Sequence, residues 1–273
     1  MRGLSISAAW DETKAILARD GQLLITVAVA LVALPTAVNA LINPSGVNST
    51  STPWWIDLIA VIASLIALSG QLALIRLAIG PSVTVGAAIM HGLRRMPIYF
   101  VSVLTVVIGL VVVAVPLVMI LSALGVPVGT KGVPPSPPTI IVGLFYLALV
   151  CFFGVRLVLS SPVASAEDRG PIGILARSWH LTSGYWWPLF GFVLVILIGA
   201  VVLLVAVGSA LGVIIGLVFG AIEPMSAAAL VLALVQSLVS AAITTLFAVM
   251  LARIYVQLAG DGEARASVPS SGI

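Results

Sequence analysis

Charged side chains are scarce in this 273-residue chain. They make up 8% of it, about a third of what a soluble domain carries. Twelve Lys+Arg against nine Asp+Glu leave a net charge of +3, too little for polyphosphate recognition, so nucleic-acid binding is excluded. The single cysteine, Cys151, lies inside an apolar run; it can form no intramolecular disulfide and, without Cys or His neighbours, no zinc site. The only histidines are His91 and His180. What is abundant is apolar: 61% of the residues are hydrophobic and the mean hydropathy is +1.27. Such a chain cannot be solvated by water, which excludes a soluble enzyme and a disordered chain and leaves an integral membrane protein.

A spanning helix needs about 20 mainly apolar residues. Six segments qualify: about Gln22–Ile42, Trp54–Ile75, Pro97–Leu124, Ile140–Leu159, Trp187–Val207 and Ala227–Leu258. Trp54 and Trp55 read as an aromatic belt at the outer end of the second. Pro35 and Pro116 fall inside spans one and three, where neighbouring helices can re-satisfy a freed carbonyl. With six spans, every basic residue except Lys131 falls on the side shared by both termini, and the positive-inside rule makes that side cytoplasmic. A cleaved signal peptide ending at Val38-Asn39-Ala40 is the rival for span one. The mixed-charge segment of about 20 residues ahead of it does not resemble a short basic leader.

A unit recurs three times. Segments before spans one, three and five have helical periodicity, with apolar stripes at Ile6, Trp10, Thr13 and Leu17, at Val85, Ile89, Leu93 and Met96, and at Ile172, Leu175 and Trp179. Their polar faces carry Asp11, Glu12, Lys14 and Arg19, then His91, Arg94 and Arg95, then Arg177, Ser178 and His180. Each is expected to be a short amphipathic helix lying in the membrane interface. The even spans each end with an arginine: Arg76, Arg156 and Arg253. The expected fold is therefore all-α, a polytopic membrane bundle of six transmembrane helices in three divergent repeats, each preceded by an interface helix. The units are about Leu4–Gly80, Pro81–Ser160 and Pro171–Leu258 in one membrane domain, 1–258, with a polar tail at 259–273 expected to fray.

The run from Ile174 to Ile196, ILARSWHLTSGYWWPLFGFVLVI, carries Ala176-Arg177-Ser178-Trp179, Leu181-Thr182, Gly184, Trp186 or Trp187, and Leu189-Phe190-Gly191. It resembles a stretch of the bacterial glycerophosphoryl diester phosphodiesterase membrane-domain family and its YciC-like relatives. The match is best over about Ile140–Leu258 and reaches the first half only through the internal repeat. In that family the membrane domain stands alone or is joined to a cytoplasmic catalytic domain, and only the membrane part is recognisable here. The resemblance implies a bacterial inner-membrane location and a link to phospholipid physiology, not phosphodiesterase activity.

Hydrolysis would need paired carboxylates, a metal cluster or a nucleophile with its base. The nine acids are Asp11, Glu12, Asp20, Asp57, Glu167, Asp168, Glu223, Asp261 and Glu263, none deep in a span, so none marks an intramembrane relay. His91 and His180 are expected to face headgroups or cytoplasm. Gln71 and Gln236 are expected to hydrogen-bond neighbouring helices. No metal or cofactor is expected.

Gly208, Gly212, Gly216 and Gly220 recur every fourth residue, a strip that permits close backbone approach. Internal packing is its expected role and homo-oligomer contact the alternative. The uncharged run Leu189–Ile222 holds 34 residues, about 50 Å of helix, and is expected to break near Gly208 into a second short helix.

The functional expectation is a non-enzymatic inner-membrane protein that binds phospholipid headgroups or partner proteins through a basic cytoplasmic collar. Arg76, Arg156, Arg177 and Arg253 are its candidate headgroup ligands, because guanidinium forks suit phosphate oxygens. Trp179, Trp186 and Trp187 are placed at headgroup depth. The alternative is a small transporter moving an amphipathic or lipid-derived solute; a polar cavity open to one leaflet would favour it.

Overall fold

The computed structural model describes residues 4–42, 54–79, 84–126, 136–219 and 226–266. All the regular structure there is helical. Helix α1 (Ile6–Ala28) passes through a π turn at Val29–Ala33 into α2 (Leu34–Ile42). There follow α3 (Trp54–Ile79), α4 (Val85–Ala123), α5 (Pro137–Arg156), a short α6 (Ser160–Ala166), α7 (Pro171–Leu181), α8 (Trp186–Phe219) and α9 (Ala227–Ala266). Six runs are long and apolar enough to cross a membrane: Ile6–Ile42, Trp54–Ile79, Val85–Ala123, Pro137–Ala166, Trp186–Val218 and Ala227–Gly260. Lys131, Gly220, the turn at Asn43–Pro53 and most of Gly125–Pro138 lie outside the described residues.

Local chemistry sets the helix starts. Ser5, Thr84 and Ser226 accept the backbone N–H three residues on, at 3.3, 3.3 and 3.1 Å, satisfying one orphan donor each. Helices α5 and α7 open with Pro137 and Pro171 in the first turn, where the missing N–H is harmless. Pro35 has no N–H to continue the ladder, and the turn just before it, Val29–Ala33, is wound as π.

The core lies toward the arginine-bearing ends of the spans. There α1, α3 and α9 bury Leu24, Val27, Leu74, Ile75, Val249 and Ala252 in one cluster. A second cluster joins Leu72, Leu159, Val163, Ile174, Leu189 and Met250. Small residues bring the helices together: a methyl built on Gly92 of α4 would lie 2.4 Å from the Ser69 carbonyl and 3.1 Å from the Ala73 nitrogen of α3. That is direct backbone contact of the kind membrane helices use. By contrast, α5 buries only Val155, and much of α8 is exposed.

Four expectations are corrected. The amphipathic segments before spans one and three are not separate helices but the first turns of α1 and α4, which continue without a break into their spans. Gly21, between segment and span in α1, lies within the helix. Pro97 in α4 is carried inside the helix. Their inward faces are corrected only in part: Thr13 is buried and Ile6, Leu17, Val85 and Met96 pack against the core as expected, but Trp10 and Leu93 are exposed and Ala9, Ala88 and Gly92 are buried instead. Helix α8 is continuous through Gly208. In hydrocarbon no water competes for its backbone groups, so glycine's weak helix propensity does not end the helix. Finally, α9 runs on to Ala266, past the Gly260 where fraying was expected.

The glycine strip is not one packed surface. A methyl on Gly208 would lie 2.4 Å from Gln236 Nε2 of α9, whereas one on Gly212 or Gly216 would meet nothing within 4 Å. Internal packing therefore holds at Gly208 and fails at the next two positions. The Gln236 side chain lies against α8 at Gly208.

Candidate functional site

The arginine end is organised around the α5–α6–α7 connection. Arg156 is the last residue of α5, where its charge opposes the negative end of the helix dipole. Its backbone carbonyl accepts from the hydroxyls of Ser178 and Thr182, both at 3.1 Å. Helix α7 thereby satisfies a carbonyl that the end of α5 leaves without an intrahelical partner.

The Arg156 side chain rests on aromatic rings. Its guanidinium carbon lies 5.0 Å from the Trp179 ring centre and 5.7 Å from that of Phe152, within cation–π range. Its Nη1 donates to Ser183 Oγ at 3.1 Å. No carboxylate pairs with it among the described residues, and its Nε is buried without a partner there. The rings form a continuous cluster: Phe152 meets Trp186 at 6.2 Å, and Trp186 stacks on Phe190 at 5.0 Å and abuts Trp187 at 4.7 Å. Trp186 Nε1 is the other buried donor without a partner among the described residues.

The other candidate cations are placed differently. Arg177 Nε donates to Glu167 Oε1 at 2.9 Å. Arg253 holds Glu12 of α1 through Nε at 2.6 Å and Nη2 at 2.5 Å. Arg95 pairs with Asp168 at 2.8 Å. Arg76, in the last turn of α3, and the exposed Arg94 have no ion pair among the described residues. The four expected headgroup arginines are thus split, two neutralised by carboxylates and two not.

Glu167 and Glu12, unassigned from sequence, act as structural anchors. Glu167 accepts from Arg177, from Arg169 and from the Tyr255 hydroxyl of α9, the last at 2.9 Å. Burial pushes its carboxyl up, but these donors outweigh that and hold it below the ordinary carboxylate value. His91 is not turned to headgroups: its Nε2 lies 2.8 Å from the Ser165 carbonyl. Since a carbonyl only accepts, Nε2 carries the proton. His180 is exposed at the end of α7.

Beside Trp179, and bounded by α4, α5 and α7, lies a cavity of about 550 Å³. Thr105, Gly109, Leu149, Phe153, Ile172 and Trp179 are among the residues that line it. A smaller cavity of about 240 Å³ adjoins it across Val106, Leu110, Phe153 and Leu157. Helices α4 and α5 meet along a narrow seam and leave space on either side.

Six apolar spans, a core of small residues and an arginine–aromatic end define a multi-pass α-helical membrane protein. The chain belongs to the family described as Domain of unknown function (DUF7847), whose model matches residues 4–258. No curated protein and no solved structure matches it. The likeness to the phosphodiesterase membrane domains therefore rests on the 174–196 motif alone.

Proposed function

We propose that this chain is a non-enzymatic protein of the bacterial inner membrane that holds anionic phospholipid headgroups at its arginine end. Both termini are cytoplasmic in this reading, because eleven of the twelve basic residues then lie inside. The observation that carries it is Arg156: a guanidinium backed by two aromatic rings, anchored by one serine and paired with no carboxylate among the described residues. The side chain is half-buried with only its Nε enclosed, so an anion in the headgroup layer can reach the guanidinium and supply the partner it lacks. Of the four expected headgroup arginines, Arg76 is the other without an ion pair among the described residues, while Arg177 and Arg253 join α7 to Glu167 and α9 to Glu12.

Two further features support the reading. The large cavity beside Arg156 is apolar, which suits a lipid better than a polar transported solute. Glu167, the acid between α6 and α7, is committed to two arginines and a tyrosine. The three-unit plan stays part of the proposal, supported by arginines in the last turns of both α3 and α5.

Native mass spectrometry of the purified protein with phosphatidylglycerol and phosphatidylserine, which carry equal net charge, tests it. Simple attraction adds about 1 kcal/mol per basic residue and treats the two alike. A shaped site discriminates, and Arg156→Lys should reduce the preference about tenfold because lysine lacks the planar fork. Arg253→Lys should leave it unchanged. Equal retention of both lipids, unaffected by Arg156→Lys, would overturn the proposal.

A further inference from the structure

We infer that the cavity between α4, α5 and α7 is a binding site for one acyl chain of an anionic phospholipid, with the headgroup at Arg156. This rests on the headgroup reading and adds a second, separate site to it. Trp179 is the residue that joins the two. It lines the cavity, and its ring carries the Arg156 guanidinium at 5.0 Å. An apolar volume and a cation without a carboxylate partner among the described residues therefore meet at one residue, the polarity of an amphiphile with a negative head.

Size selects the occupant. The volume of about 550 Å³ lies within the range of small-ligand pockets, roughly 300–1,000 Å³. A single turn of helix, about 5.4 Å long and 10 Å across, already takes about 400 Å³. A partner helix crossing the membrane would need several such turns, so the space fits a flexible chain and not a transmembrane segment. Access is lateral: Gly109 and Ile172 line the cavity and are exposed, so a chain enters from the surrounding lipid without crossing the protein. The seam itself is lightly held, with the Tyr146 hydroxyl donating to the Leu110 carbonyl at 3.4 Å.

Gly109 offers a clean way to close the site. A Cβ there would meet nothing within 4 Å, and the residue lines the cavity, so Gly109→Phe places bulk at the cavity without a Cβ clash. Gly143 on α5 is exposed, equally unobstructed and not among the cavity's lining residues, and Gly143→Phe is the control. Titrated with dioleoyl phosphatidylglycerol and read by native mass spectrometry, Gly109→Phe should bind its tightest lipid at least tenfold more weakly, and Gly143→Phe as wild type does. Unchanged binding in Gly109→Phe, or an equal loss in both variants, would overturn the chain site.

The unmodified protein supplies an independent measurement. Phosphatidylglycerol with a diazirine in its acyl chain should cross-link to peptides containing Thr105, Gly109 and Ile172. Cross-links spread instead along the exposed face of α8 would mean ordinary annular lipid and no chain site. The two proposals fail separately. If Arg156→Lys leaves the headgroup preference intact while cross-links stay in the cavity, the headgroup reading falls and the chain site stands.

Discussion

Glu167 shows how one carboxylate can tie three parts of this molecule together. It stands between α6 and α7, and it receives Arg177 from α7, Arg169 from the connection and Tyr255 from α9. Because its folded carboxyl titrates below the ordinary value of 4.5, its contribution is fully present above the unfolded pKa. That contribution is lost as pH falls through the folded one. Glu167→Gln should therefore lower stability at neutral pH by about 1–3 kcal/mol, the worth of charged hydrogen bonds that a neutral amide does not replace. The gap from wild type should close as pH falls below the ordinary carboxylate range. Thermal unfolding in detergent at a series of pH values checks this; a gap that persists or widens in acid would mean that the carboxylate charge is not what matters. Nothing local in the sequence marks Glu167, because Arg177 reaches it across a turn and Tyr255 comes from another span.

At the scale of helices, the inward face is not always the one that the bulkiest apolar residues mark. The expected stripe of α7 was Ile172, Leu175 and Trp179, yet Ile174, Ser178 and Leu181 are the buried ones, and Ile172 is 76% exposed. In α1 and α4 the small Ala9, Ala88 and Gly92 turn inward, while Trp10 and Leu93 of the expected stripes are exposed. In water the bulkiest apolar residues are driven into the core. Lipid is as apolar as leucine, so that drive is absent and close backbone contact takes its place. This leads to a contrast between glycines. Gly92→Ala puts a methyl against the rigid backbone of α3 and should destabilise by about 1–3 kcal/mol. Gly212→Leu and Gly216→Leu meet open space and should be neutral, or stabilising by up to about 1 kcal/mol from helix propensity. Melting temperatures of the three variants in detergent test it. A loss at Gly212 equal to that at Gly92 would show that α8 packs against a second copy. Span count was legible because twenty-residue apolar runs are one-dimensional signals, but the limits were not: the runs Ile6–Ile42, Val85–Ala123 and Trp186–Val218 extend well beyond the segments expected. The buried α6, with Ser161, Pro162, Val163, Ala164 and Ser165 all inside, was not legible either. Its residues are small and weakly apolar, and its burial depends on Leu72 and His91, the one accepting from Ser165 Oγ at 3.2 Å and the other meeting the Ser165 carbonyl. The candidate site was legible as residue types, an arginine at a span end among tryptophans. Which arginines are already paired depends on contacts such as Glu12 with Arg253, 241 positions apart.

At the scale of the whole molecule, such contacts tie together charges of α1, α4, α7 and α9 at one end. Arg253 meets Glu12, Arg95 meets Asp168, and the Ser5 N–H donates to Gln257 at 3.3 Å. Helices of 39 and 40 residues, α4 and α9, are about 60 Å long and exceed a hydrocarbon core of about 30 Å. The charged end can therefore stand in the headgroup layer and beyond it while the apolar stretches stay in lipid. If that end is cytoplasmic, an impermeant thiol reagent added to intact cells should separate the two sides. With Cys151 replaced by serine, cysteines at Ser49 and Pro135 should label from outside and cysteines at Asp168 and Ser270 should not. Asp168 is a sound reporter because its side chain is 93% exposed, whereas a cysteine at the nearby Ser165 would stay unlabelled from either side simply because it is buried. Permeabilising the cells should then expose Asp168→Cys to the reagent, which distinguishes a cytoplasmic position from a shielded one. Labelling of the Asp168 variant in intact cells would place the arginine end outside. The headgroups it meets would then be those of the opposite leaflet, and the positive-inside reading of this chain would fall with it.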